Sequence, residues 1–164
     1  MSHDTLLTTE RCVLDVLQTC DCGSVLKLQT DSDVRRFLGG PVDEATFEAR
    51  FLRLLKQEPG ERRWVICGQK DNTFIGLVYL APHHDGETEV SYELLSEWWG
   101  MGLAAEAVGA VIKFGLDKLK LVRVVAETQS ANLKSRQILE CLGTQVIGSV
   151  ERFGARQVIY TTEC

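Results

Sequence analysis

Long apolar runs are missing from this 164-residue chain. No stretch approaches the ~18 consecutive apolar residues of a membrane span, so no membrane partner is expected. The opening "MSHDTLLTTERCVLDVL" sets acidic and basic residues where a secretory leader would be continuously apolar, which predicts a cytoplasmic location. Basic excess is missing too. A net charge of -5 and a pI near 5.2 are at odds with the broad basic face that general nucleic-acid binding requires, so no nucleic-acid partner is expected. Acidic balance instead suits a cationic partner. Proline occurs only three times, and neither repeats nor low-complexity tracts mark a linker; with 45% hydrophobic residues, 1–164 is expected to form one domain.

What is absent from the cysteines is a pattern. Of the six (Cys12, Cys20, Cys22, Cys67, Cys141, Cys164), only Cys20 and Cys22 are close, and CxC without a second pair is poor zinc geometry. Reduced, mostly buried thiols and no metal site are expected. His83 and His84 read as a surface-loop pair, because sequence neighbours seldom converge on one ion.

The periodicities present are clear. "RCVLDVLQ" alternates as an opening strand, "DSDVRRFLGG" predicts a short helix capped at Asp31 or Ser32, and "DEATFEARFLRLLKQEPG" predicts an amphipathic helix. "RRWVICGQ" and "TFIGLVYLA" form a hairpin around "KDN". "TEVSYELL" sets Val90, Tyr92 and Leu94 on an apolar face against Glu89, Ser91 and Glu93 on a polar one. A helix is expected from Leu103 to about Leu119, then the strand "LVRVVAET", the helix "NLKSRQILECLG" and a closing hairpin around Gly154. The order gives an α+β fold: a mixed, mostly antiparallel sheet of about seven strands flanked by about four helices.

One junction carries chemistry. In "ELLSEWWGMGLAAEA" a strand meets Gly100 and Gly102 and then a helix start, an arrangement that offers backbone N–H groups and a positive dipole end to an anion. Ala105 stands where a GxGxxG fingerprint would need its third glycine, and no lysine of a P-loop is present. A merely tight turn is the alternative.

Taken with "NLKSRQILECLG", this stretch resembles the acetyl-coenzyme A core of the GNAT superfamily of N-acetyltransferases, in particular the branch acting on N-terminal amines of ribosomal proteins. The resemblance extends upstream through "TTERCVLDVL", "DSDVRRFLGG" and "FIGLVYL". It implies the GNAT fold and acetyl-CoA as cosubstrate. It implies cofactor contacts from Leu95, Trp99, Gly100, Met101, Gly102, Leu103, Ala104 and Ala105, and from Asn132 and Ser135 of the N-x-x-S motif. Trp98 and Trp99 depart from the superfamily, which usually places Arg or Gln at the start of this loop.

Acetyl transfer to an amine requires a neutral amine, a stabilised oxyanion and an acceptable thiolate leaving group. Glu89 is the candidate base and Glu93 the reserve; the competing reading makes both solvated strand carboxylates. Ser135 is the candidate donor to the departing sulfur, since a thiol of pKa ~8.5 needs no strong acid. Asn132 reads equally as helix cap and coenzyme contact. Tyr92 is expected mainly to pack in the core, Glu127 is a minor candidate, and Cys141 is expected to be buried. The acceptor implied is a protein N-terminal amine, with a small amine (polyamine or aminoglycoside-like) or a non-catalytic acyl-CoA sensor as alternatives, in a monomer or homodimer.

Overall fold

The computed structural model describes residues 6–162. Its strands are β1 (Leu7–Thr8), β2 (Cys12–Val16), β3 (Arg62–Gly68), β4 (Phe74–Pro82), β5 (Thr88–Leu94), β6 (Val124–Gln129), β7 (Gln145–Arg152) and β8 (Ala155–Thr161). The helices are α1 (Cys22–Thr30), α2 (Glu44–Leu55), α3 (Leu103–Asp117) and α4 (Leu133–Cys141). All eight strands form one sheet in the order β1-β2-β3-β4-β5-β6-β8-β7, antiparallel except between β5 and β6. The α+β reading holds, with one two-residue strand more than expected.

The strand alternation sorts the two faces of the sheet. Val90 and Leu94 of β5 pack with Leu103, Ala107, Val108 and Val111 of α3 and Leu139 of α4. On the other face Val65 and Leu77 pack with Val25 and Leu28 of α1 and Phe47 and Phe51 of α2. At Gly76 of β4 a side chain would collide with the Glu93 carbonyl and the Leu94 backbone, so glycine there lets β5 come close. The β5–β6 ladder consists of two pairs, Thr88↔Val124 and Glu89↔Val125, beyond which the strands diverge into a notch.

One helix is not where the sequence pointed. Residues 32–39 are consecutive turns, while the helix lies earlier, at Cys22–Thr30. Asp31 does cap, taking the Asp33 and Val34 amides at 2.8 and 3.1 Å, but the capping chemistry serves turns that end at Gly39 and Gly40, both with positive φ. The cysteine expectation also needs correction. Cys12 is buried, but Cys20, Cys22 and Cys141 are exposed, because α4 turns Leu139 inward and leaves Cys141 on its outer side; Cys164 lies outside the described residues. Burial pushes the Cys67 thiol up to about 11, which makes it a poor nucleophile.

Candidate active site

The glycine turn closes the end of β5. The Leu95 amide continues the sheet to Ile75 (2.9 Å), a single 3-10 turn covers Ser96–Trp98, and Gly100 and Gly102 follow with φ of +76° and +78° before α3 begins. The requirement for glycine is conformational: nothing in the described chain lies within 4 Å of a side chain placed at Gly100, but a left-handed φ excludes most residues. No acceptor among the described residues takes the amide hydrogens of Gly100, Met101, Gly102, Leu103, Ala104 or Ala105. Six consecutive free donors at a helix N-terminus make an anion cradle that fits a pyrophosphate. Leu95 and Leu103 are buried and anchor its two ends, Ala104 and Ala105 are half-buried, and Met101 is exposed.

The two tryptophans supply no charge themselves, but a cation stands over one of them. The Trp99 indole donates to the Leu94 carbonyl (3.0 Å), which turns its ring under the loop, and Lys134 of α4 holds its ammonium 4.5 Å from the ring centroid. From the other side Arg11 donates to the Met101 carbonyl at 2.8 Å and pairs with Glu106 at 3.0 Å. Burial would raise the Glu106 carboxyl, but donors from Thr9 and Arg11 outweigh it and hold the group below its ordinary value. Two cations from distant segments thus stand beside the loop.

Across the notch, α4 presents its first turn. Asn132 is the N-cap, and its side chain accepts the Ser135 amide at 3.2 Å. Capping therefore uses Ser135's backbone and leaves its hydroxyl to bond the Tyr92 hydroxyl of β5 at 2.7 Å. Tyr92 packs against the core and also carries this polar tip. Burial pushes its hydroxyl up to about 12, despite the opposing Ser135 bond, so the pair keeps its protons at neutral pH.

The carboxylates of β5 are not equivalent, and neither is a solvated strand residue. Glu93 is buried, and both its oxygens are held: Oε1 by Gln29 (2.9 Å) and Tyr79 (3.1 Å), Oε2 by Arg35 (3.0 Å). Arg35 also donates to the Leu38 and Gly40 carbonyls, at 2.7 and 3.1 Å, and Arg50 holds Gln29 at 2.9 Å. Glu93 is thus a hub joining α1, α2 and the 31–40 turns to β5. Glu89 is half-buried and has a single hydrogen bond, 3.3 Å from the Glu127 amide; burial raises its pKa, with the Glu127 charge adding to the rise.

His83 is no surface residue. It is buried where the β4–β5 turn meets β6, with Nδ1 2.8 Å from Asp85 and Nε2 3.8 Å from Glu127, which in turn pairs with Arg152. Periodicity did not flag Arg11, Arg35 or Gln29, because their partners lie 58 to 95 residues away. Nothing local signals them.

Comparison with known proteins gives a family. Residues 11–145 match the model described as the acetyltransferase (GNAT) domain. The uncharacterized N-acetyltransferase YoaA of Bacillus subtilis is 26% identical over 155 residues, covering 90% of this chain and 87% of its own. In fold the chain is similar to a ribosomal-protein-S5-alanine acetyltransferase from Vibrio fischeri (TM-score 0.80, 19% identity, 97% of this chain and 96% of that one). It is equally similar to a spermidine N-acetyltransferase from Vibrio cholerae solved with CoA and spermine (TM-score 0.79, 19% identity, 93% and 94%). No helix among the described residues is long and apolar enough to cross a membrane.

Proposed function

Because this chain belongs to the GNAT acetyltransferase family, with acetyl-CoA as cosubstrate, we propose that it transfers the acetyl group directly to a protein N-terminal amine, without a covalent enzyme intermediate. The observation that carries this reading is the free-amide cradle at Gly100–Ala105, at the end of β5, together with the Tyr92–Ser135 hydroxyl pair that bridges β5 and α4 at the same notch.

The residues divide the work as follows. The cradle amides hold the coenzyme pyrophosphate, with Lys134 and Arg11 adding positive potential. Ser135, oriented by Tyr92, donates to the departing sulfur. Glu89 lies three residues before Tyr92, about 10 Å along the strand and on its opposite face, so it receives the ammonium proton through water. Glu93 has both oxygens held by three donors and acts as a positioning residue for the 31–40 wall. An N-terminal amine, with a pKa of about 7.7–8.0, is partly neutral at pH 7, whereas an alkyl ammonium near ~10.4 is almost wholly charged. A weak, water-relayed carboxylate suits the former. The second reading, a small polyamine-like acceptor, is favoured by the half-buried Glu89 carboxylate, whose single hydrogen bond comes from the Glu127 amide.

Ser135→Ala tests the assignment. Turnover should fall by about a hundredfold, the lower end of general-acid effects, while acetyl-CoA affinity by calorimetry changes little. An unchanged rate would remove Ser135 as the donor.

A further inference from the structure

Away from the cradle, the buried corner between the β4–β5 turn and β6 collects several electron-pair donors around one cation, Arg152. The His83 side chain is 1% exposed and that of Glu127 6%. Asp85 accepts from His83 Nδ1 at 2.8 Å, so in the neutral ring the lone pair is on Nε2. That lone pair faces Glu127 Oε1 at 3.8 Å, too far for a hydrogen bond even if a proton were added. Glu127 Oε1 is buried and has no hydrogen-bond partner, since Arg152 holds the other oxygen. His84 Nδ1 lies 3.1 Å from both ring nitrogens of His83, over the ring, with the two planes at 83°. Three donor atoms, one from each residue, lie within 4.8 Å of one another. Buried acceptors facing each other are costly unless a cation lies between them.

The spacing discriminates between kinds of cation. An ammonium bound through hydrogen bonds of about 2.9 Å sets its acceptors about 4.7 Å apart in a tetrahedron. A zinc-class ion with bonds of about 2.0–2.1 Å sets its ligands about 3.3–3.4 Å apart. The 3.8 Å between His83 Nε2 and Glu127 Oε1 lies nearer the second value. His84 is exposed and can turn from over the His83 ring to bring Nδ1 beside the Nε2 lone pair. We propose that His83 Nε2, His84 Nδ1 and Glu127 Oε1 bind one zinc-class divalent ion, with Asp85 orienting His83 and Arg152 orienting Glu127. Two imidazoles and one carboxylate leave a fourth position for water. The ion ties the β4–β5 turn to β6, one backbone hydrogen bond from Glu89, and the inference does not depend on the acceptor proposed above.

The test uses the full chain, freed of any affinity tag and stripped with chelator, titrated with Zn²⁺ by calorimetry and with Co²⁺ by visible absorption. One equivalent should bind, with d–d bands and no thiolate charge-transfer band, and Zn²⁺ should raise the melting temperature. His84→Ala, an exposed change that leaves the fold intact, should weaken binding at least about tenfold, and Asp85→Asn by about tenfold. Absence of one-equivalent binding would overturn the proposal. So would binding that survives His84→Ala but is lost in Cys20→Ser/Cys22→Ser, because the exposed thiols would then be the ligands.

Discussion

Replacing Glu93 with alanine removes the acceptor for three donors at once: Arg35 Nη1 at 3.0 Å, Gln29 Nε2 at 2.9 Å and the Tyr79 hydroxyl at 3.1 Å. The Arg35 side chain is 11% exposed and Glu93's 3%, so water cannot easily replace the lost partner. Breaking a buried ion pair from one side costs about 3–5 kcal/mol, because the remaining charge stays desolvated. For a domain of this size each kcal/mol moves the melting temperature by about 2–4 °C, so Glu93→Ala should melt about 6–20 °C lower. Glu93→Gln keeps the volume but turns one oxygen into a donor facing donors, for about 2 kcal/mol. Urea and thermal unfolding read both variants. A Glu93→Ala protein within about 1 kcal/mol of the parent would refute the hub. Acetyl transfer per folded molecule separates position from catalysis: Glu93→Gln should retain most of kcat, and a loss of about a thousandfold at unchanged stability would make Glu93 the base instead.

Two further expectations concern the loop. Gly100→Ala forces a left-handed φ on a residue with a Cβ, at about 1–2 kcal/mol, and should weaken acetyl-CoA binding by about tenfold in calorimetry while Ser135 chemistry is unchanged. Glu106 has a folded pKa below its unfolded value of about 4.3, so its contribution to stability is full above that value and is lost as pH falls through the lowered one. Glu106→Gln should therefore flatten the fall in unfolding free energy below pH ~4.3, and an unaltered acid limb there would contradict the assignment.

What the sequence made legible was local. The alternation of β5, the glycine pair ahead of α3 and the Asn132-to-Ser135 spacing each rest on residues within one turn or one strand, and the structure places them around one notch. Helix α1 was not legible because its buried face includes Gln29, a polar residue whose partner Glu93 is 64 positions later, and because Gly23 weakens its pattern. The 31–40 segment misled for the opposite reason, since a capping aspartate and terminal glycines serve turns as well as helices. His83 and His84 looked like loop residues until the β4–β5 turn folded against β6. The tryptophans were readable only as a missing charge; Lys134, which stands over Trp99, and Arg11, which holds the Met101 carbonyl, come from other elements.

Release of free CoA thiol, followed with acetyl-CoA against a panel of peptides with free N-termini, the same peptides with blocked N-termini, and spermidine, tests the central claim most directly. The account predicts thiol release matched by mass-detected acetylation of the free N-terminal peptides, none with blocked ones, and strong loss in Ser135→Ala. Acetyl-CoA binding by calorimetry with silence across the whole panel would contradict it and leave an acyl-CoA sensor.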